Sequence, residues 1–89
     1  LGRCNTASGG YSTVSGGYCN TASGYYTGIL GGKGNIACNN CTFIAGINIT
    51  TNRNGALFVN ELSIMNIPTS SSGLPAGAVW NDSGFLKIV

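Results

Sequence analysis

Followed along its apolar and polar positions, the chain repeats itself. Set in rows of fifteen from Gly2, it runs GRCNTASGGYSTVSG, GYCNTASGYYTGILG, GKGNIACNNCTFIAG and a looser INITTNRNGALFVNE. Glycine opens rows at Gly2, Gly17 and Gly32 and closes them at Gly16, Gly31 and Gly46. Asn5, Asn20 and Asn35 share a column, as do Ala7, Ala22 and Ala37. Val14, Ile29, Ile44 and Val59 form the one apolar column that reaches the fourth row. A fixed period of this length marks a solenoid, with one coil per row and like residues stacked at the strand spacing of about 4.8 Å. The pattern predicts short β segments that alternate inward and outward. Val14, Ile29, Ile44 and Val59 are then the inner ladder, and the alanines stand where the opposite wall comes close. Gly-Gly junctions supply positive φ at corners, and the asparagine column predicts a side-chain amide ladder at a turn. A helix is excluded, because each interior glycine costs it about 1 kcal/mol.

Past Glu61 the period is lost. Residues 61–72, ELSIMNIPTSSS, read as a short strand and then a Ser/Thr-rich connector broken at Pro68. The segment GLPAGAVWNDSGFLKIV reads as a β-hairpin, with strands over 78–80 and 85–89 around a turn at Asn81, Asp82, Ser83 and Gly84. Trp80 and Phe85 are expected close together near that turn. The chain thus divides into a repeat region over 1–60, a connector over 61–72 and a hairpin over 73–89.

Composition narrows the function classes. Only 7% of residues are charged: Arg3, Lys33, Arg53 and Lys87 against Glu61 and Asp82, a net charge of +2. That is no basic patch, so nucleic acid is a poor partner. Histidine is absent, which removes the commonest general base and metal ligand. No nucleophile, base and orienting group can be assembled, so neither an enzyme nor a cofactor site is expected. No apolar run approaches the roughly 18 residues of a membrane helix, and no signal peptide is visible. The chain opens at Leu1 in mid-pattern and is expected to be a piece of a longer protein. Its apolar end at Val89 fits a natural C-terminus. At 89 residues, four thin coils bury little core, and three chains sharing an axial core would remove that weakness.

The four cysteines leave alternatives open. Cys4 and Cys19 share a column, so stacking brings them within disulfide range. Cys38 and Cys41 form a CxxC, but they fall in different columns from the first pair, which argues against a four-cysteine zinc site. A redox CxxC needs a βαβ context that is missing. Free thiols acting as small hydrophobes are the plainer reading. Tyr11, Tyr18, Tyr25 and Tyr26 lie on or beside the corners, either as stacking platforms for sugar rings or as cover for a neighbouring chain. The repeats carry no Asp for calcium, and no GK[ST] follows the glycines to hold phosphate. An ice-binding solenoid needs a regular Thr pair in every coil. Here the pairs run Thr6/Ser8, Thr21/Ser23, Ile36/Cys38 and Thr51/Arg53, and the ladder breaks in the third row.

The rows ASGGYSTVSGG and ASGYYTGILGG resemble the head repeats of YadA-type trimeric autotransporter adhesins. They are also similar to CNTASG/YSTVSGG repeats in fibre proteins of tailed phages and large DNA viruses. The resemblance covers residues 2 to 60, and in the third and fourth rows Cys38, Cys41, Arg53 and Asn54 replace the small pattern residues. It implies a left-handed parallel β-roll with three chains around one axis. The tail NIPTSSSGLPAGAVWNDSGFLKIV is similar to terminal segments of viral fibres and, more loosely, to the trimerising hairpin of fibritin. That likeness implies a cap in which Trp80, Phe85, Leu86 and Ile88 of three chains press together. The expectation is an all-β homotrimer, a parallel β-roll or β-solenoid closed by a hairpin cap. Its expected role is the distal part of a virion fibre that attaches to a host glycan or protein without entering the membrane. The alternatives are a structural spacer and trimerisation cap, or the head of a bacterial surface adhesin.

Overall fold

The computed structural model describes residues 2–89. Among the described residues there are nine short strands and no helix. β1 (Thr6–Ala7), β3 (Thr21–Ala22) and β5 (Ile36–Ala37) make one parallel sheet. β2 (Thr13–Val14), β4 (Gly28–Lys33), β6 (Phe43–Ile47) and β7 (Leu57–Val59) make a second, in that order. The first three coils contribute one strand to each sheet, and the fourth adds β7 to the second sheet and a single bridge at Thr50 to the first, so the two sheets are opposite walls of a β-solenoid of about four turns. β8 (Val79–Asp82) and β9 (Phe85–Ile88) form a separate antiparallel hairpin.

The columns of the sequence are the register of the sheets. Thr6 pairs with Thr21 and Thr21 with Ile36; Val14 pairs with Ile29 and Ile29 with Ile44. Between the walls lie Ala22, Ile29, Ala37 and Ile44, each no more than 1% exposed. These four are the whole fully buried apolar core among the described residues, with Val14, Ile49 and Phe58 half-buried against it. A coil this narrow holds one layer of side chains, and alanine is all that fits opposite an isoleucine.

The interior of the corners is polar, and it is sealed. Asn20 and Asn35 are fully buried. The side-chain amide of Asn20 donates to Asn5 Oδ1 at 3.2 Å, to Gly16 O at 3.0 Å and to Gly32 O at 3.1 Å. Its Oδ1 accepts both the backbone and the side-chain N–H of Asn35, each at 3.1 Å. Asn35 repeats the arrangement, donating to Gly31 O and Gly46 O and accepting the N–H of Ile49. The expected amide ladder exists, and it joins backbone of three successive coils as well as side chains. At the opposite corner Ser12, Thr27 and Thr42 each turn a hydroxyl back to the carbonyl three residues earlier. No buried side-chain N or O among the described residues lacks a partner.

Turning each corner also needs a left-handed residue. One column of positive φ runs Cys4, Cys19, Gly34, Asn48 and the other Tyr11, Tyr26, Cys41, Gly55, with φ between 52° and 72° throughout. Outside Gly and Asn this conformation costs about 1–2 kcal/mol per residue, which the stacked hydrogen bonds must outweigh.

The fourth coil departs from the expected register. β4 and β6 slip by one between Ile29 and Gly31, so that Gly31 faces Ala45 and Gly32 faces Gly46. From there the spacing is fourteen: Ile44 pairs with Phe58, and Val59 pairs with Ala45. Phe58 therefore continues the inner ladder in place of the expected Val59. The physical cause is a bulge at Leu30, whose side chain is thrown outward and is 75% exposed.

The hairpin also turns more tightly than expected. The strands run to Asp82 and resume at Phe85, leaving Ser83 and Gly84, both at positive φ, as a two-residue turn. That is the geometry that follows the right-handed twist of a hairpin. Trp80 pairs with Lys87, whose Nζ lies 5.8 Å from the ring centroid, and Phe85 stands opposite Asp82. The hairpin is tied to the connector by the N–H of Asn81, which donates to Pro68 O at 2.7 Å.

Two pairs of substitutions test this packing. Asn35→Ala leaves buried backbone groups of Gly31, Gly46 and Ile49 without partners, and urea denaturation should register a loss of about 3 kcal/mol or more, whereas Asn52→Ala should stay within about 0.5 kcal/mol. Phe58→Ala should destabilise more than Val59→Ala; the reverse order would restore the fifteen-residue register in the fourth coil.

Candidate interaction surfaces

The two walls differ in what they turn outward. The outer face of β1, β3 and β5 carries Thr6, Ser8, Thr21 and Ser23 before Ile36 and Cys38 interrupt it. Opposite, on the outer face of β4, β6 and β7, Leu30, Phe43 and Leu57 are 75%, 53% and 65% exposed. Together with Thr13, Ser15, Gly28 and Ala45 they line a shallow, mostly apolar groove running across the coils. Gly28 explains its smoothness. A Cβ there would lie 2.9 Å from Phe43 Cδ1, so the Phe43 ring occupies the space that a side chain at Gly28 would need. The solenoid is thus two-faced, polar on one wall and apolar on the other.

The surface of the chain is large for its mass. It exposes 5962 Å² at 9.0 kDa, where a folded monomer of that mass exposes about 4,900 Å². The excess of about 1,100 Å² is of the order of one partner's share of a standard interface, about 800 Å². Part of it lies on the hairpin, where Phe85, Leu86 and Ile88 are all exposed.

The expected cap residues do not share a face. In the antiparallel register Trp80 and Phe85 lie on the side that also carries Lys87 and Asp82. Leu86 falls on the other side with Asn81, as does Ile88 with Val79. Lys87 and Asp82 form an exposed ion pair, and such pairs contribute little to stability. Leu86 lines a groove with Leu62, Ile64 and Ile67, a stretch expected to open as a short strand that the structure shows without one. The alternation of Leu62 and Ile64 in ELSIMNI was the available signal.

The four tyrosines also separate. Tyr11 and Tyr26 stack at one corner with centroids 4.9 Å apart and planes 8° from parallel. Tyr25 lies beside them with its ring over Gly10, where an added Cβ would come within 2.5 Å of Tyr25 Cε1. Tyr18 belongs to the opposite corner, between Arg3 and Lys33 in its column. There its hydroxyl is pushed above the usual phenol range, first by the negative charge that Cys19 carries as a thiolate. Hydrogen bonding to Cys19 likewise raises the Cys4 thiol. Cys38 sits elsewhere, its sulfur 3.7 Å from Thr51 O, and Cys41 follows Tyr11 and Tyr26 in the second corner column. The CxxC residues therefore serve different parts of a coil. All four cysteines are free thiols.

No family model matches the chain, and no curated protein matches it.

The Tyr11–Tyr26 stack should be energetically real. A double-mutant cycle with Tyr11→Ala and Tyr26→Ala, read by urea denaturation, should give a coupling of about 0.5 kcal/mol or more; a coupling of zero would mean that the rings merely coincide.

Proposed function

We propose that the chain is the distal part of a trimeric fibre of a virus or phage, which contributes to attachment at a host surface. The observation that carries this reading is the pairing of a minimal core with an apolar outer wall. Four buried apolar residues hold the coils of one chain, while Phe43 and Leu57, stacked in one column at the coil spacing, and Leu30 of the bulge stand outside. A second and third copy of the same solenoid match that spacing by construction. The polar Thr/Ser wall and the tyrosine corners then face outward in three copies. Weak contacts to a glycan or protein, multiplied threefold, give avidity without a deep pocket. The likeness of the rows to YadA-type heads and viral fibre repeats supports the same assembly.

A spacer with its receptor site elsewhere is the second reading. It is favoured by the tyrosines themselves, since Tyr26 covers one face of the Tyr11 ring and Tyr25 lies over Gly10.

Light scattering on the whole chain should give a mass near three chains, and the mass should fall when residues 73–89 are removed. Phe43→Glu should also lower the mass while leaving the β signal in circular dichroism intact. A monomer for the unmodified chain would overturn the fibre reading. Retention of the trimer, but not of a Tyr11→Ala/Tyr25→Ala trimer, on a glycan-coated surface would favour attachment over a spacer role.

A further inference from the structure

The stack brings two thiols together. Arg3 pairs with Tyr18 and Thr6 with Thr21, so Cys4 and Cys19 face each other across one coil step. The N–H of Cys19 donates to Arg3 O at 2.9 Å, which fixes this register at the cysteine itself. Both residues hold nearly the same left-handed backbone, φ 62° and 52°, so their side chains leave successive coils in similar directions. Residues stacked at the strand spacing of about 4.8 Å fall within the Cα separation of about 4.4–6.8 Å that a disulfide spans. Cysteine has no conformational reason to be here. The same column continues with Gly34 and Asn48, the residue types that adopt positive φ at least cost. The other cysteines offer no comparable pair, because Cys38 is engaged with Thr51 and Cys41 belongs to the other corner.

We propose that Cys4 and Cys19 are a disulfide site that staples the first coil to the second when a disulfide oxidant such as oxidised glutathione is present. One thiolate attacks a sulfur of oxidised glutathione and expels a glutathione thiolate, which takes up the proton. The second thiolate attacks the resulting mixed disulfide and expels the other glutathione. Two protein thiols become one disulfide, and one oxidised glutathione becomes two reduced molecules. The contact between the two thiols, which also raises Cys4 above its ordinary value of 9.0, involves the same two sulfurs. This inference does not depend on the fibre reading, since the stack within one chain is enough.

The test uses the full chain carrying Cys38→Ser and Cys41→Ser, incubated with oxidised glutathione and read by intact mass and thiol titration. The expected product is a single chain lighter by about two hydrogens with no free thiol. Closure should be about tenfold or more faster for the folded protein than in urea, because the stack holds the sulfurs in place. The urea midpoint should rise on oxidation and return on reduction. Three results would each overturn the proposal: glutathione adducts that never close, covalent dimers in place of the intrachain bond, or equal rates in folded and unfolded chain.

Discussion

A coil of fourteen or fifteen residues leaves room inside for one layer of side chains, and that narrowness governs the rest of the structure. Among the described residues full apolar burial is confined to Ala22, Ile29, Ala37 and Ile44, too little to hold four coils together alone. The corners must therefore also close on the interior, and corners expose backbone carbonyls inward. Asn20 and Asn35 answer those carbonyls from inside the coil, each reaching the coil before and the coil after. Buried hydrogen bonds of this kind are stronger than their counterparts in water, and they are costly to leave half-made. They reward only one vertical alignment, so the ladder sets the register that the apolar residues then fill.

That constraint explains what could be read from the sequence. The columns Asn5/Asn20/Asn35, Ala7/Ala22/Ala37 and Val14/Ile29/Ile44 are legible because each is a ladder with one chemical task per coil. The shift to fourteen residues was hidden by degeneracy. Glycine both closes and opens a row, so Gly46 fits either position, and Phe58 and Val59 are both apolar. The informative signal lay in the corner columns. Asn48 and Gly55, residues suited to positive φ, stand fourteen after Gly34 and Cys41, and a fifteen-residue count passes over them. The pairing of the hairpin was missed for a related reason. A two-residue turn at Ser83 and Gly84 sets the pairing, and a four-residue turn in its place changes which side chains stand opposite one another.

The interaction surfaces follow from the same geometry. A thin solenoid has nearly as much wall outside as inside, so its outward residues decide what it does. Here the polar wall suits water, while Leu30, Phe43 and Leu57 make a face that water alone covers poorly. The bulge that moved the register also put Leu30 on that face, which links a local irregularity in the fold to the surface proposed for assembly. The cysteines belong to this logic as well, since a corner column that stacks every coil also stacks whatever chemistry it carries.

Exchange of the asparagine side-chain amides, followed by NMR, tests the central claim most directly. If the ladder sets the stack, the Nδ2 protons of Asn20 and Asn35 exchange slowly and show contacts to each other across the fifteen-residue step, whereas those of exposed Asn52 exchange freely. Exchange of Asn20 and Asn35 as fast as that of Asn52 would mean that the interior ladder does not hold the coils together.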